Sequence, residues 1–270
     1  MLYILYIIYG IIGGLAGYLF SSSITLLLLF NNIFNTEIVY DKNLLIFINL
    51  GIVLGFIIIY LKKFFNKIKI LLKIKINNKD KKKKKKEKLK KNNKAILITN
   101  VIYFISFIIL KKYTLRALNP KIIGLYFIIS GILLFLIKKK NGSKEEKDMR
   151  FKTIIFIIIA NIISNLFSFN NLIVTLFICL LSNFKLTVAL KYSFCIYTTS
   201  LIGFIILNVN NLLTTFTLYY LPCYVIALLT AFITSIYYSK SFKERLAKKQ
   251  FQYFIIVNLM LGIITLFYFR

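Results

Sequence analysis

Two short polar breaks interrupt otherwise apolar stretches of this 270-residue chain, and they hold most of the side chains with chemical potential outside its charged connections. The first is Ser21-Ser22-Ser23. The second is Ser168-Phe169-Asn170-Asn171, with Thr175 one helical turn further on, and Lys185 and Lys191 open the apolar stretch that follows. Hydroxyls, amides and the free backbone N–H groups at helix starts can hold phosphate oxygens. The same groups can instead cap broken helices and bond to one another. A serine needs a neighbouring base to become a nucleophile, and none stands beside Ser22 or Ser23.

What is missing narrows the chemistry. The chain has no histidine, and its eight acids, from Glu37 to Glu244, all fall in connections between apolar segments. Carboxylates and histidines inside apolar segments are the usual groups for proton relays, metal ligation and acid/base catalysis. A proton pump, an intramembrane metalloprotease and an aspartyl protease are therefore disfavoured, and neither a metal nor another cofactor is expected. Cys179, Cys195 and Cys223 lie far apart without ligand spacing and read as packing residues.

The elements that would carry the two breaks follow from composition. Hydrophobic residues make up 59% of the chain and the mean hydropathy is +0.78, more than a soluble domain of this length can bury. Several segments approach the roughly 20 apolar residues that a helix needs to cross a bilayer. Strands would need alternating polar and apolar faces in a closed barrel, and these runs are apolar on every side. The expected class is an all-α integral membrane protein, a polytopic helix bundle. No Lys or Arg precedes Lys42 to make a basic leader, so the first segment is expected to stay.

One unit is written twice along the chain, which reads as a single transmembrane domain over 1–270. Repeat one, about 1–138, has a broken hairpin near Leu2 to Phe30 and spans near Leu44 to Leu61, Ala95 to Leu110 and Ile122 to Ile137. Repeat two, about 152–270, has a hairpin near Thr153 to Leu181 and spans near Leu186 to Leu207, Leu212 to Tyr238 and Tyr253 to Phe269. Glycine pairs on the first arm (Gly10, Gly14; Gly13, Gly17) and Gly51 with Gly55 read as close helix packing.

The net charge of +29 is concentrated in connections, with seventeen lysines against two acids between Lys62 and Lys94. These basic loops, together with Lys138 to Lys152 and Lys240 to Lys249, read as cytoplasmic loops of a multi-pass protein of the inner cell membrane. A nucleic-acid partner is not expected. Polylysine beside a membrane suits anionic lipid, and a basic loop over about 62–94 is expected to be disordered. With those loops inside, Asn31 to Asn43, Lys111 to Lys121 and Asn208 to Asn211 lie outside. The two hairpins then enter from opposite faces, an inverted-topology repeat with about six full spans and two re-entrant hairpins.

This order of features resembles the bacterial undecaprenyl-diphosphate phosphatase family along nearly the whole chain. That family's first signature, E-G-x-x-E-F-L-P-x-S-S-x-x-H, falls in register with Gly13 to Leu26. Leu19, Ser22 and Ser23 match, while both glutamates are replaced by Gly13 and Gly17 and the histidine by Leu26. Asn49-Leu50-Gly51 is similar to the family's Q-L-G, and Asn119-Pro120 to its N-P. The second signature, P-G-x-S-R-S-x-x-T, falls on Phe167 to Thr175, where Thr175 matches, Asn170 replaces the serine and Asn171 replaces the arginine. Lys191 stands where a later glutamate is usual.

The resemblance implies hydrolysis of undecaprenyl diphosphate to the monophosphate, which recycles the lipid carrier of cell-wall synthesis. Carried over residue by residue, it implies Ser22, Ser23 and Thr175 on the catalytic side and Asn170, Asn171 and Lys191 as substrate contacts. The lost acids and arginine point to a catalytically inactive copy. One alternative is a non-catalytic protein that binds or moves polyprenyl phosphate or scaffolds other membrane proteins. Another is a small-solute transporter, which shares the inverted repeat.

Overall fold

The computed structural model describes residues 2–21, 23–34, 41–73, 96, 98–109, 120–140, 142–166, 169–215, 217–247 and 250–268. Among them the regular structure is helical, apart from one isolated bridge between Lys144 and Phe184. In chain order the helices are α1 Leu2–Ala16, α2 Ser23–Phe34, α3 Lys42–Lys73, α4 Ile98–Ile109, α5 Pro120–Ile137, α6 Phe151–Leu166, α7 Asn171–Leu181, α8 Leu186–Thr215, α9 Leu221–Ala247 and α10 Phe251–Tyr268. Among the described residues, four stretches are long and apolar enough to cross a membrane: Lys42–Ile59, Leu186–Asn210, Leu218–Leu246 and Phe251–Tyr268. Of the six full spans that the sequence predicts, these four reach that length, whereas α5 and the described part of α4 are shorter.

Small residues set how closely the helices approach. On α9, Thr230 and Thr234 sit against Gly10 and Gly14 of α1, and Leu228 and Ser235 sit against Gly51 and Gly55 of α3. Any Cβ at these glycines would collide with α9, so close backbone approach requires glycine on one side of each seam. Helices α5 and α10 meet in the same way through Gly124, Gly131 and Gly262. Their outer faces expose Leu125, Ile129, Ile132 and Phe135 on α5 and Ile256, Met260, Ile263 and Phe267 on α10. Such continuous apolar stripes belong against hydrocarbon.

Two boundaries differ from the sequence expectation. Helix α3 continues through Lys62 to Lys73, so the first part of the basic stretch is helical rather than disordered. Lysine is a good helix former and no glycine or proline interrupts 62–73; residues 74–95 lie outside the described ones. Likewise α8 runs through Asn208 to Asn211, where a connection is expected, and ends at Thr215. Asn208 Nδ2 donates 2.8 Å back to the carbonyl of Phe204, which removes the competition that usually takes asparagine out of helices. The turn falls instead at Leu218–Tyr220, just before Pro222 in the first turn of α9.

The two ends of the bundle are distinct. At one end Asp41 caps α3 by accepting from the Asn43 N–H at 2.8 Å, and it accepts a further bond from the Tyr224 hydroxyl of α9. Tyr6 of α1 meets the Tyr224 ring edge-on with centroids 6.0 Å apart. At the other end Lys144 pairs by backbone hydrogen bonds with Asn183 and Lys185, at the turn between α7 and α8. Helix α8 connects the two ends, starting at that turn and finishing beside the Leu218–Tyr220 turn that leads to Tyr224.

Candidate functional site

The second break is built by two rungs of polar side chains inside the α6–α7 hairpin. Asn161 of α6 donates 2.9 Å to the Thr175 hydroxyl of α7, which returns a bond of 3.2 Å to Asn161 Oδ1. One turn nearer the tip, Asn171 Nδ2 donates 2.7 Å to Asn165 Oδ1 and 2.8 Å to the hydroxyl of Tyr103 on α4. Asn165 Nδ2 donates to the same hydroxyl at 2.8 Å. Asn170 is the N-cap of α7, its Oδ1 accepting from the Leu172 N–H at 2.7 Å. Asn170, Asn171 and Thr175 are all buried.

The first break follows a short 3-10 turn, Gly17–Leu19, and then Phe20 in the left-handed region at φ 58. A bulky residue there is rare and costs on the order of 1–2 kcal/mol. The Phe20 ring compensates by complete burial against Phe254 and Phe242, at centroid distances of 5.4 and 5.3 Å. The Tyr18 hydroxyl donates 2.5 Å to the carbonyl of Ser235, and Asn258 Nδ2 of α10 donates 2.8 Å to that of Leu19. Ser23 opens α2, and its hydroxyl shares a 3.2 Å hydrogen bond with the Tyr197 hydroxyl of α8. Ser22 and Ser168 lie outside the described residues.

The two breaks meet. Asn170 Nδ2 donates to the backbone carbonyl of Ser21, so the cap of the second hairpin holds the turn of the first. Lys191 is not drawn into this contact. Its ammonium lies 2.5 Å from Glu146 Oε1, and Lys185 lies 3.0 Å from Glu145 Oε1, both on the loop before α6. The hydrogen bond and charge of Lys185 hold the exposed Glu145 carboxyl below its ordinary range. Among the described residues, no group of three His, Cys, Asp or Glu side chains gathers as a metal site would need.

A family profile described as bacitracin resistance protein BacA matches residues 6–264. The chain belongs to the BacA family. The curated relatives it matches include undecaprenyl-diphosphatase 1 of Bacillus cereus, 25% identical over 150 residues, and undecaprenyl-diphosphatase 2 of Bacillus thuringiensis, 24% identical over 150. Each of these matches covers 55% of this chain and 55% of the relative. Undecaprenyl-diphosphatase of Oceanobacillus iheyensis is 24% identical over 149 residues, covering 54% of each. The chain thus spans about half the length of the curated relatives it matches.

At Gly13 and Gly17, where the sequence resemblance puts glutamates, the space is filled from neighbouring helices. A Cβ at Gly13 would collide with the Ile48 side chain of α3, and one at Gly17 would come within 2.8 Å of the Tyr197 ring. Phe20 stands at the signature's proline, and its positive φ is closed to proline.

Five participants are absent from the sequence reading: Tyr103, Asn161, Asn165, Tyr197 and Asn258. Two of them carried a legible signal. Asn161 and Asn165 are one turn apart on α6, as Asn171 and Thr175 are on α7, and such matched pairs inside apolar runs mark facing helices. The aromatic pair and Asn258 come from other helices and carry no local signal.

Proposed function

We propose that this BacA-family chain is a multi-pass protein of the cell membrane that takes the headgroup of undecaprenyl diphosphate, or a related polyprenyl diphosphate, beside its two hairpin turns. The reaction is hydrolysis: water attacks the terminal phosphorus, the bond to the bridging oxygen breaks, and the lipid monophosphate and inorganic phosphate leave. The observation that carries the reading is the contact of Asn170 with Ser21, which joins the two signature segments within one matched family span. Ser22, Ser23 and Thr175 then supply hydroxyls on the reacting side, Asn170 holds a phosphoryl oxygen with its second amide N–H, and Asn171 does so by turning its amide from Tyr103 and Asn165. Lys191 joins them only by leaving Glu146.

Part of the proposal is the inverted repeat, with basic loops on the cytoplasmic side against anionic lipid. Its support is that α3 packs on α8 and α5 on α10, elements of equal rank in the two halves. The bases of the two hairpins also lie at opposite ends of α8. Helix α7 has 11 residues, about 16 Å of rise, short of the roughly 30 Å hydrocarbon core.

A second reading, binding of polyprenyl phosphate without hydrolysis, is favoured by the filled space at Gly13 and Gly17. An arginine-type clamp alone is worth orders of magnitude in phosphoryl transfer, and here Asn171 carries no charge. The test is phosphate release from undecaprenyl diphosphate by the purified chain, beside a Ser22→Ala/Ser23→Ala/Asn171→Ala variant. Release by the native chain alone supports the hydrolase. Its absence, with an active family member working in the same assay, leaves the binding reading.

A further inference from the structure

Exposed tyrosines gather at two levels of the bundle. At one end stand Tyr3 at the start of α1, Tyr219 and Tyr220 just before α9, and Tyr268 at the end of α10. At the other stand Tyr237 and Tyr238 of α9 and Tyr253 of α10. Contacts between helices match the ends. Tyr6 meets Tyr224 where α1 and α9 begin, and Arg245 lies 4.5 Å over the Tyr253 ring where α9 ends and α10 begins. Tyr9, Tyr18, Tyr103 and Tyr197, which lie between the two levels, are all buried.

Between those levels the outward side chains are apolar: Val225, Leu229 and Ile233 on α9, and Ile256, Met260, Ile263 and Phe267 on α10. A tyrosine keeps its ring against apolar material and its hydroxyl among headgroups, so it concentrates where hydrocarbon ends. Helix α5, packed on α10, shows the same limits through charge. Lys121 and Lys138 flank its exposed Leu125, Ile129 and Ile132. The Lys138 ammonium turns back to lie 3.9 Å from the centre of the Phe135 ring, so the charge sits at that limit and not beyond it.

Helix rise turns these limits into a thickness. Tyr220 and Tyr237 are about 26 Å apart along α9, Tyr253 and Tyr268 about 22 Å along α10, and Lys121 and Lys138 about 26 Å along α5. Tilt only shortens the projection on the bilayer normal, so these are upper limits, against about 30 Å for a typical hydrocarbon core. Helices α3 and α8 are longer, and their apolar stretches are more enclosed by other helices. We infer that the outward surface of α5, α9 and α10 is fitted to a bilayer with a hydrocarbon core of at most about 26 Å, held between two rims of tyrosine. In a thicker bilayer the headgroup layers would be drawn together beside these helices. This fit rests on the membrane fold alone and holds whatever ligand the hairpin turns take.

The chain contains no tryptophan, so a single introduced one reports without interference. The full chain carrying Leu229→Trp, Tyr219→Trp or Tyr238→Trp is placed in vesicles of monounsaturated phosphatidylcholine with chains of about 14 to about 22 carbons, with and without brominated analogues of the same lipids. Brominated lipid should quench Leu229→Trp and show about twofold preference for the shortest chains over the longest. Tyr219→Trp and Tyr238→Trp should emit at longer wavelength than Leu229→Trp in the short-chain vesicles and move toward it in the long-chain ones. A preference that rises to the longest chains, or rim positions that emit like Leu229→Trp in every lipid, overturns the fit. Quenching of Leu229→Trp by no lipid would put a second copy of the chain or another protein on this face, and overturns it as well. Should a variant not fold, Ile233→Trp serves on the same face. Thermal unfolding of the native chain in the same lipids then gives the second readout, with its midpoint expected to be highest in the shorter chains and a maximum in the longest overturning the fit.

Discussion

Gly17 and Tyr197 are fitted to each other: a Cβ at Gly17 would come within 2.8 Å of the Tyr197 ring, whose hydroxyl is bonded to Ser23. Gly17→Glu alone should therefore overpack this point and destabilise the fold by about 1–3 kcal/mol. Combined with Tyr197→Ala, which opens the space, it should recover part of that loss. Thermal unfolding in detergent measures both, and losses that simply add would mean that the two side chains do not compete for one volume.

The Asn161–Thr175 rung predicts a second coupling. Thr175→Val leaves the buried Asn161 amide without its side-chain partner and should cost about 0.5–2 kcal/mol, within the range known for hydrogen bonds inside membranes. Asn161→Leu with Thr175→Val should cost less than the two single changes together, because no polar group is then orphaned. Unfolding midpoints of the four proteins in the cycle give the interaction directly.

Glycines in the helix seams should differ in how much they tolerate. Gly51→Ala drives a methyl into the backbone carbonyl of Leu228, which cannot move without shifting α9. At Gly131 the nearest atoms belong to the Leu259 side chain, at 2.8 Å, which can change rotamer. Gly51→Ala should lower the melting temperature clearly more than Gly131→Ala. Equal effects would remove the distinction between backbone and side-chain obstruction.

Glu145 gives a pH prediction with a definite sign. Its folded carboxyl is held below the ordinary value of 4.5 by Lys185, so the pairing contributes above 4.5 and is lost as pH falls through the lower folded value. The pair is exposed, so its contribution is small and weakens with salt. Carboxyl 13C titration should place the Glu145 midpoint below 4.5 in the native chain and move it up toward 4.5 in Lys185→Gln, where Lys147 still acts to lower it. A midpoint that does not respond to that substitution would dissociate the depression from Lys185.

Helical class, apolar spans and the two polar breaks were legible in the chain because they depend on local runs of residue type. A run of some 18 apolar residues has few options besides a membrane helix, and Ser21, Asn170 and Asn171 stand out from their surroundings wherever the chain goes. Helix ends were less legible, as the extensions to Lys73 and Thr215 make plain, since lysine and asparagine are tolerated in helices when nothing breaks the backbone. The alternative held open for the breaks, capping and mutual bonding, describes Asn170 at the start of α7 and Thr175 with Asn161. What the tertiary structure alone decided are the partners: Ser21 for Asn170 from 149 positions away, Tyr197 and Ile48 in the space beside Gly17 and Gly13, and Glu146 for Lys191. These pairings depend on which helices lie side by side, and close packing of distant segments leaves no periodic mark in either of them.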